Sequence, residues 1–191
     1  MMLVLSALLT ACAGGQPKKV EVQAENPAAK TSLKVRADFS AAMQAIKTSD
    51  YDKSIRLLNQ VIAQSPDNPV PYINLALVYI KARDLTLLEE YLTLAEKNLK
   101  QAIKIDPENP VANNEYALLY RKTGRFAEAR QIYERTLEKY PNFMIARKNL
   151  GILCDLYMKD YECALKHYVI YSSAMPDDKA VKIWIADIRG R

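Results

Sequence analysis

Apolar positions along this chain recur at helical spacing in paired segments, and the pairs themselves recur. From about Val35 onward the segments carry apolar stripes with charged residues between them, the pattern of amphipathic helices. Within the stripes one spacing returns three times: Tyr51 and Ser54 before Pro66, Phe126 and Ala129 before Pro141, Tyr161 and Ala164 before Pro176. An aromatic residue is followed three positions later by a small one, and proline comes twelve after that. A second spacing lies upstream in Leu75-Ala76 with Tyr79, Tyr116-Ala117 with Tyr120, and Leu150-Gly151 with Cys154. Pro66, Pro107, Pro141 and Pro176 each follow a helix that proline cannot continue.

The repeating unit is about 34 residues long and resembles the tetratricopeptide repeat, a helix-turn-helix hairpin of that length. The match holds in register: small residues at positions 8 and 20, aromatics at 11, 17 and 24, and proline at 32 of the unit. The resemblance implies an all-α fold, a right-handed α-solenoid of four hairpins over residues 35–68, 69–109, 110–143 and 144–177. A capping helix within 178–191 covers the last hairpin, with Ile183, Trp184 and Ile188 as its buried side. Ala76, Ala117, Gly151, Ala129 and Ala164 let paired helices approach closely, and the aromatics fill the space between hairpins.

Two units depart from the pattern. The second carries seven extra residues, so that Ala95 stands where the spacing puts Leu88. Seven residues are about two helical turns, which predicts a helix from about Thr86 to Ile105 that keeps its face. Leu87, Leu88, Tyr91, Leu92 and Leu94 in the added stretch either pack on the neighbouring hairpin or project as a contact surface. The fourth unit has one extra residue near Tyr157-Met158-Lys159-Asp160.

The N-terminal segment has another character. Met1 to Leu9 is too short to span a bilayer, which takes about 20 apolar residues, but suits the core of a signal peptide. Leu9-Thr10-Ala11-Cys12 at its end resembles a bacterial lipobox, although no Lys or Arg precedes the run. The resemblance implies a signal peptide over 1–11, lipidation of Cys12 and a lipid anchor as the only contact with membrane. Ala13 in place of aspartate implies the outer membrane, with the domain on its periplasmic face. The rest of 12–34, with Gly14, Gly15, Pro17, Lys18, Lys19 and Pro27, has too little apolar surface to offset the entropy of ordering and reads as a flexible tether.

Composition leaves little room for catalysis or nucleic-acid binding. The net charge of +5 is spread along the chain without a dense basic cluster. There is one histidine, His167, read as a surface or half-buried helical residue, and no glycine-rich phosphate loop or zinc-ligand spacing is present. The chain reads as neither an enzyme nor a metal or cofactor carrier. Cys154 and Cys163 lie almost symmetrically about the last hairpin turn. They either form a disulfide in an oxidising periplasm or pack separately as small apolar residues.

Binding remains. In tetratricopeptide arrays the first helices line a concave groove, and the corresponding positions here are Phe39, Met43 and Ile46; Ile73, Leu77, Ile80 and Lys81; Asn114, Leu118, Arg121 and Lys122; and Lys148 and Ile152. That set is apolar in its first half and basic-flanked in its second, which suits an amphipathic helix or an extended peptide with an acidic edge. Phe39 and Met43 occupy the positions of the Lys and Asn with which chaperone-binding members clamp a terminal carboxylate, so that clamp is absent. The resemblance implies an adaptor with a protein partner of the cell envelope, like lipoproteins that serve secretin and type IV pilus assembly or TonB/ExbB machinery. A regulator of an envelope peptidase or peptidoglycan enzyme and a carrier of an apolar ligand are the other readings.

Overall fold

The computed structural model describes residues 27–82 and 87–190, with side chains from Ser32 onward. Cys12, the signal-like run and the first part of the tether lie outside the described residues. The described residues form α-helices in head-to-tail hairpins, without a strand. The first hairpin pairs α1 (Pro27–Lys47) with α2 (Tyr51–Gln64), and the second pairs α3 (Pro69–Lys81) with α4 (Leu88–Ile105). In the third, α5 (Pro110–Lys122) packs on α6 (Phe126–Lys139). The fourth joins α7 (Met144–Ile152) to α8 (Tyr161–Ala174), and α9 (Lys179–Arg189) packs on α8. Each hairpin also packs on the next, and α3, α5 and α7 touch in succession.

Local signals set the ends of these helices. Pro66, Pro107, Pro141 and Pro176 stand one residue past the C-caps Ser65, Asp106, Tyr140 and Met175. Asn68 and Asn109 cap α3 and α5, accepting from the amides of Val70 and of Val111 and Ala112, and a proline follows each asparagine. Asp50 and Asp160 cap α2 and α8 by accepting from the Lys53 and Cys163 amides. Helix α1 begins at Pro27, so residues 27–34, expected in the tether, are helical. Ser32, Leu33 and Lys34 are exposed, and the helix is anchored further along, where Ala42 is fully buried in a cluster with Leu58, Leu75 and Val78.

The small residues lie where the helices come closest. Ala76, Ala95, Ala102, Ala112, Ala117, Ala129, Ala146 and Ala164 are all fully buried, and each admits a neighbouring backbone that a larger side chain would push away. In α9 the buried side is Val181 and Ile188 with half-buried Trp184, whose ring lies 5.4 Å from that of Tyr168. Ile183 is 66% exposed, contrary to expectation, because it is one residue out of phase with the 181–184–188 stripe.

The two irregular units resolve differently. Helix α4 has 18 residues against 14 for α2, α6 and α8, about one extra turn within the described helix, and it starts at Leu88. Within the added stretch, Tyr91 lies 5.5 Å from Tyr79 and Leu92 packs on the Ala76–Leu99 cluster, whereas Leu87 and Leu88 are exposed. The insertion thus both packs and projects. In the fourth unit the extra residue is taken up before the turn: Leu153–Met158 is wound as a π-helix, the form that one added residue produces within an α-helix. The hydrogen bonds closing the turns record the shift. Asp50 N–H donates to Ala45 and Arg125 N–H to Tyr120, five residues back, but Asp160 N–H reaches Cys154, six back. Ser49, Gly124 and Lys159 supply the left-handed residue at these turns, with φ of 59°, 80° and 57°.

Candidate functional site: the concave cleft

Five of the groove positions come together. Leu77, Ile80 and Lys81 of α3 and Leu118 and Lys122 of α5 line a cleft of about 450 Å³, completed by Tyr51 and Glu115. Three half-buried aliphatic side chains form its apolar part, and the two lysines are exposed at its edge. Glu115 sits between them, its Oε1 accepting from Asn114 Nδ2 at 2.9 Å. Burial raises the Glu115 pKa, while the Asn114 hydrogen bond and the charges of Lys81 and Lys122 pull it down. The cleft therefore offers aliphatic contact surface, two ammonium groups and one desolvated acceptor within a single hairpin step.

The remaining groove positions serve other purposes. Ile73 is 5% exposed and packs with Ala102 of α4 and Ala112 of α5, so it is core. Asn114 is 1% exposed, and its Oδ1 accepts from Asn149 Nδ2 at 3.0 Å, tying α5 to α7. Lys148 donates to Asp178 at 2.6 Å and lies 5.3 Å from the Tyr171 ring centre and 5.5 Å from that of Trp184, which commits it to the cap helix. Phe39, Met43 and Ile46 are half-buried against the α1–α3 core, and Ile152 against the core of the last two hairpins. Arg121 is half-buried beside the Tyr157 ring, 5.7 Å from its centre. The helical-wheel rule fixes which side of a helix faces inward. It does not say which inward side chains a neighbouring helix then covers.

Sequence reasoning missed Tyr51, Glu115, Leu156 and Tyr157. The π-turn advances the end of the seventh helix by one residue and leaves Leu156 55% and Tyr157 46% exposed, with the Tyr157 ring beside Phe126 and Arg121. The extra residue near Tyr157 was the signal for it.

Cys154 and Cys163 are joined as a disulfide, with Cα atoms 5.9 Å apart. The Asp160 carboxylate and the two sulfurs lie within 4.8 Å of one another, a set able to hold a metal ion only with both thiols free. In the disulfide-linked form the sulfurs bond each other, and Asp160 accepts from the Cys163 amide and from Arg130 Nη1 at 2.8 Å. His167 is only 8% exposed, deeper than expected, and burial followed by the charge of Arg147 depresses its pKa to about 4. Among the described residues no helix is long and apolar enough to cross a membrane.

The comparisons with known proteins agree with this architecture. The tetratricopeptide repeat family matches residues 88–150. The uncharacterized protein ycf37 of Cyanophora paradoxa is 30% identical over 133 residues, covering 65% of this chain and 72% of that protein. The probable UDP-N-acetylglucosamine–peptide N-acetylglucosaminyltransferase SPINDLY of Solanum lycopersicum is 37% identical over 60 residues, 31% of this chain, which spans only 6% of that protein's length. Among solved structures, TTC0263 of Thermus thermophilus, a thermophilic tetratricopeptide protein, superposes with a TM-score of 0.70 at 20% identity, covering 82% of each chain. Pseudomonas aeruginosa pilF gives 0.71 at 19% identity over 83% of this chain and 69% of its own. The chain belongs to the tetratricopeptide repeat family.

Proposed function

We propose that this chain is a lipid-anchored adaptor of the bacterial outer membrane that holds a partner protein on its concave face, toward the periplasm. The observation that carries the binding half is the cleft between α3 and α5. Leu77, Ile80 and Leu118 offer apolar contact beside Lys81 and Lys122, an arrangement that suits an amphipathic segment with an acidic edge. A tetratricopeptide domain of Spaghetti (RPAP3), bound to the HSP90 peptide SRMEEVD, has the same fold, with a TM-score of 0.57 at 22% identity, and its ligand is acidic. That likeness supports a peptide-binding role, although Phe39 and Met43 replace the residues of the carboxylate clamp. The address rests on Leu9-Thr10-Ala11-Cys12 and on Ala13. The resemblance to lipoproteins that serve secretin or TonB/ExbB assembly supports a partner in envelope machinery of that kind.

Two measurements test the halves separately. Changing Cys12 to Ala releases the domain from membranes, and a variant still found as a lipidated outer-membrane species removes the anchor from the proposal. Crosslinking in intact cells, followed by mass spectrometry, identifies the partner. A crosslinked envelope protein that is lost from a Leu77→Glu strain supports the adaptor, whereas crosslinks mapping only to the opposite surface remove the concave face from it.

A further inference from the structure

A slot of about 720 Å³ opens between the end of α4, α5 and α6 and shares no lining residue with the concave cleft. At one end of α6, Arg125 pairs with Glu96 of α4 at 3.5 Å. At the other end, Lys139 pairs with Glu108, just past α4. Ion pairs thus cross from α6 to the α4 side about 20 Å apart, and they suit a ligand of limited length over a chain that runs through. The volume falls in the usual range of small-molecule sites.

The lining narrows the chemistry. Its charged groups balance: Arg125, Arg135 and Lys139 against Glu108, Glu128 and Glu138. Arg125 also pairs with Glu128 at 2.9 Å, which leaves little net field to hold an ion of either sign. Amides and hydroxyls are mixed with apolar groups, and an acyl chain would strip water from the exposed Gln131 without giving it a partner, whereas Asn113 Nδ2 already donates to the Pro107 and Asn109 carbonyls at 3.0 and 2.9 Å. Tyr116 is fixed in place, its hydroxyl donating to Glu96 at 3.3 Å and bonded to the hydroxyl of Tyr120. The Arg125 guanidinium covers the Tyr120 ring at 3.6 Å. Tyr116 and Tyr140 are half-buried and contribute ring surface to the slot.

We propose that this slot binds a short, neutral oligosaccharide carrying acetamido groups. Sugar hydroxyls donate and accept at once, so they match walls of mixed carboxylates, amides and guanidinium groups that suit neither an anion nor a cation. The C–H face of a pyranose ring packs on Tyr116 or Tyr140 as an apolar surface. An acetamido group is an amide with a methyl: the Gln131 amide and the Asn113 Oδ1 complement its polar part, and Ile103 and Ile132 its methyl. The site is independent of the concave-face reading.

The test uses the full chain and chitotriose, with maltotriose as the sugar that lacks acetamido groups. Amide NMR with chitotriose shifts residues of 113–120 and 131–140, and maltotriose binds about tenfold more weakly. Gln131 and Arg135 are both exposed, so changing both to Ala leaves melting unchanged and weakens chitotriose by about fivefold or more. Leu77→Glu, on the other cleft, leaves it as it was. The proposal fails if chitotriose causes no shift at about 10 mM, if the shifts fall outside the slot, if maltotriose binds equally well, or if the folded double variant binds like the parent. The shift map on the unchanged chain decides the matter even if that variant fails to fold.

Discussion

Gly151 lies so close beneath the ring of Tyr168 that a Cβ on it would stand 2.5 Å from Cε1 and 2.6 Å from Cδ1. Tyr168 has little room to yield, being 1% exposed, with its hydroxyl on Asp155 at 3.5 Å and its ring against Trp184. Gly151→Ala therefore destabilises by about 1–3 kcal/mol through overpacking. This outweighs the roughly 0.5–1 kcal/mol that alanine gains over glycine in a helix interior. Urea unfolding measures the difference, and an alanine variant as stable as the parent contradicts the close packing. Adding Tyr168→Leu to the alanine variant recovers part of the loss, because the smaller side chain vacates the position of the clash.

The disulfide between Cys154 and Cys163 fastens the π-turn to the helix that follows it. Closing so short a loop is worth about 2–3 kcal/mol in the chain-entropy account. Protein produced in an oxidising compartment shows no free thiol at either residue, which intact mass after alkylation with and without reductant reveals. Ser at both positions lowers unfolding stability by about that amount. Alkylation of both cysteines without reductant means that they pack as separate thiols in the cell.

Much of the fold was legible because tetratricopeptide packing demands particular residue sizes at fixed intervals. The Ala76, Ala117 and Gly151 series and the four prolines mark close contacts and helix ends directly. The cleft was half legible. Leu77, Ile80 and Leu118 follow from helical phase, but Glu115 breaks the apolar pattern and Tyr51 comes from a second helix. Asn114 and Lys148 share the inward phase of Leu77 and are captured by Asn149 and Asp178, more than thirty positions along for Asn114 and thirty for Lys148. Such long-range partners leave no trace in local periodicity. The π-turn was visible only as one surplus residue, since spacing counts an insertion without saying where the helix absorbs it.

His167 makes stability depend on pH. Its folded pKa is depressed to about 4 from the usual 6.5, chiefly by burial. Between these values the unfolded chain binds a proton that the folded chain does not, so stability rises with pH across the window. It is fully present above about pH 6.5 and falls with acidification until about pH 4, by about 3 kcal/mol over the whole span. Glu115, whose pKa burial raises, also responds to acid, so the comparison is with His167→Gln. The difference between the two unfolding profiles isolates the histidine. Parallel profiles for parent and variant from pH 7 to 4.5 mean that His167 takes up its proton in the folded chain as it does in the unfolded one, and that burial does not shift it.

Ile73 and Leu77 stand one helical turn apart on α3, and their substitutions separate core from contact surface. Ile73 is 5% exposed against Ala102 and Ala112, and truncation to Ala leaves a cavity that alanine neighbours cannot fill. The cost is about 2–4 kcal/mol, read as a lower denaturant midpoint. Leu77 is half-buried at the cleft, and Glu there keeps good helix propensity. Leu77→Glu thus leaves the helical signal and melting cooperativity nearly intact. It places a carboxylate in the apolar part of the cleft and weakens partner binding by about 2 kcal/mol or more if Leu77 is a central anchor. A variant that unfolds assigns Leu77 to the core beside Ile73. One that folds and captures every partner as before moves the binding surface elsewhere, with the exposed Leu88 at the start of α4 next in line.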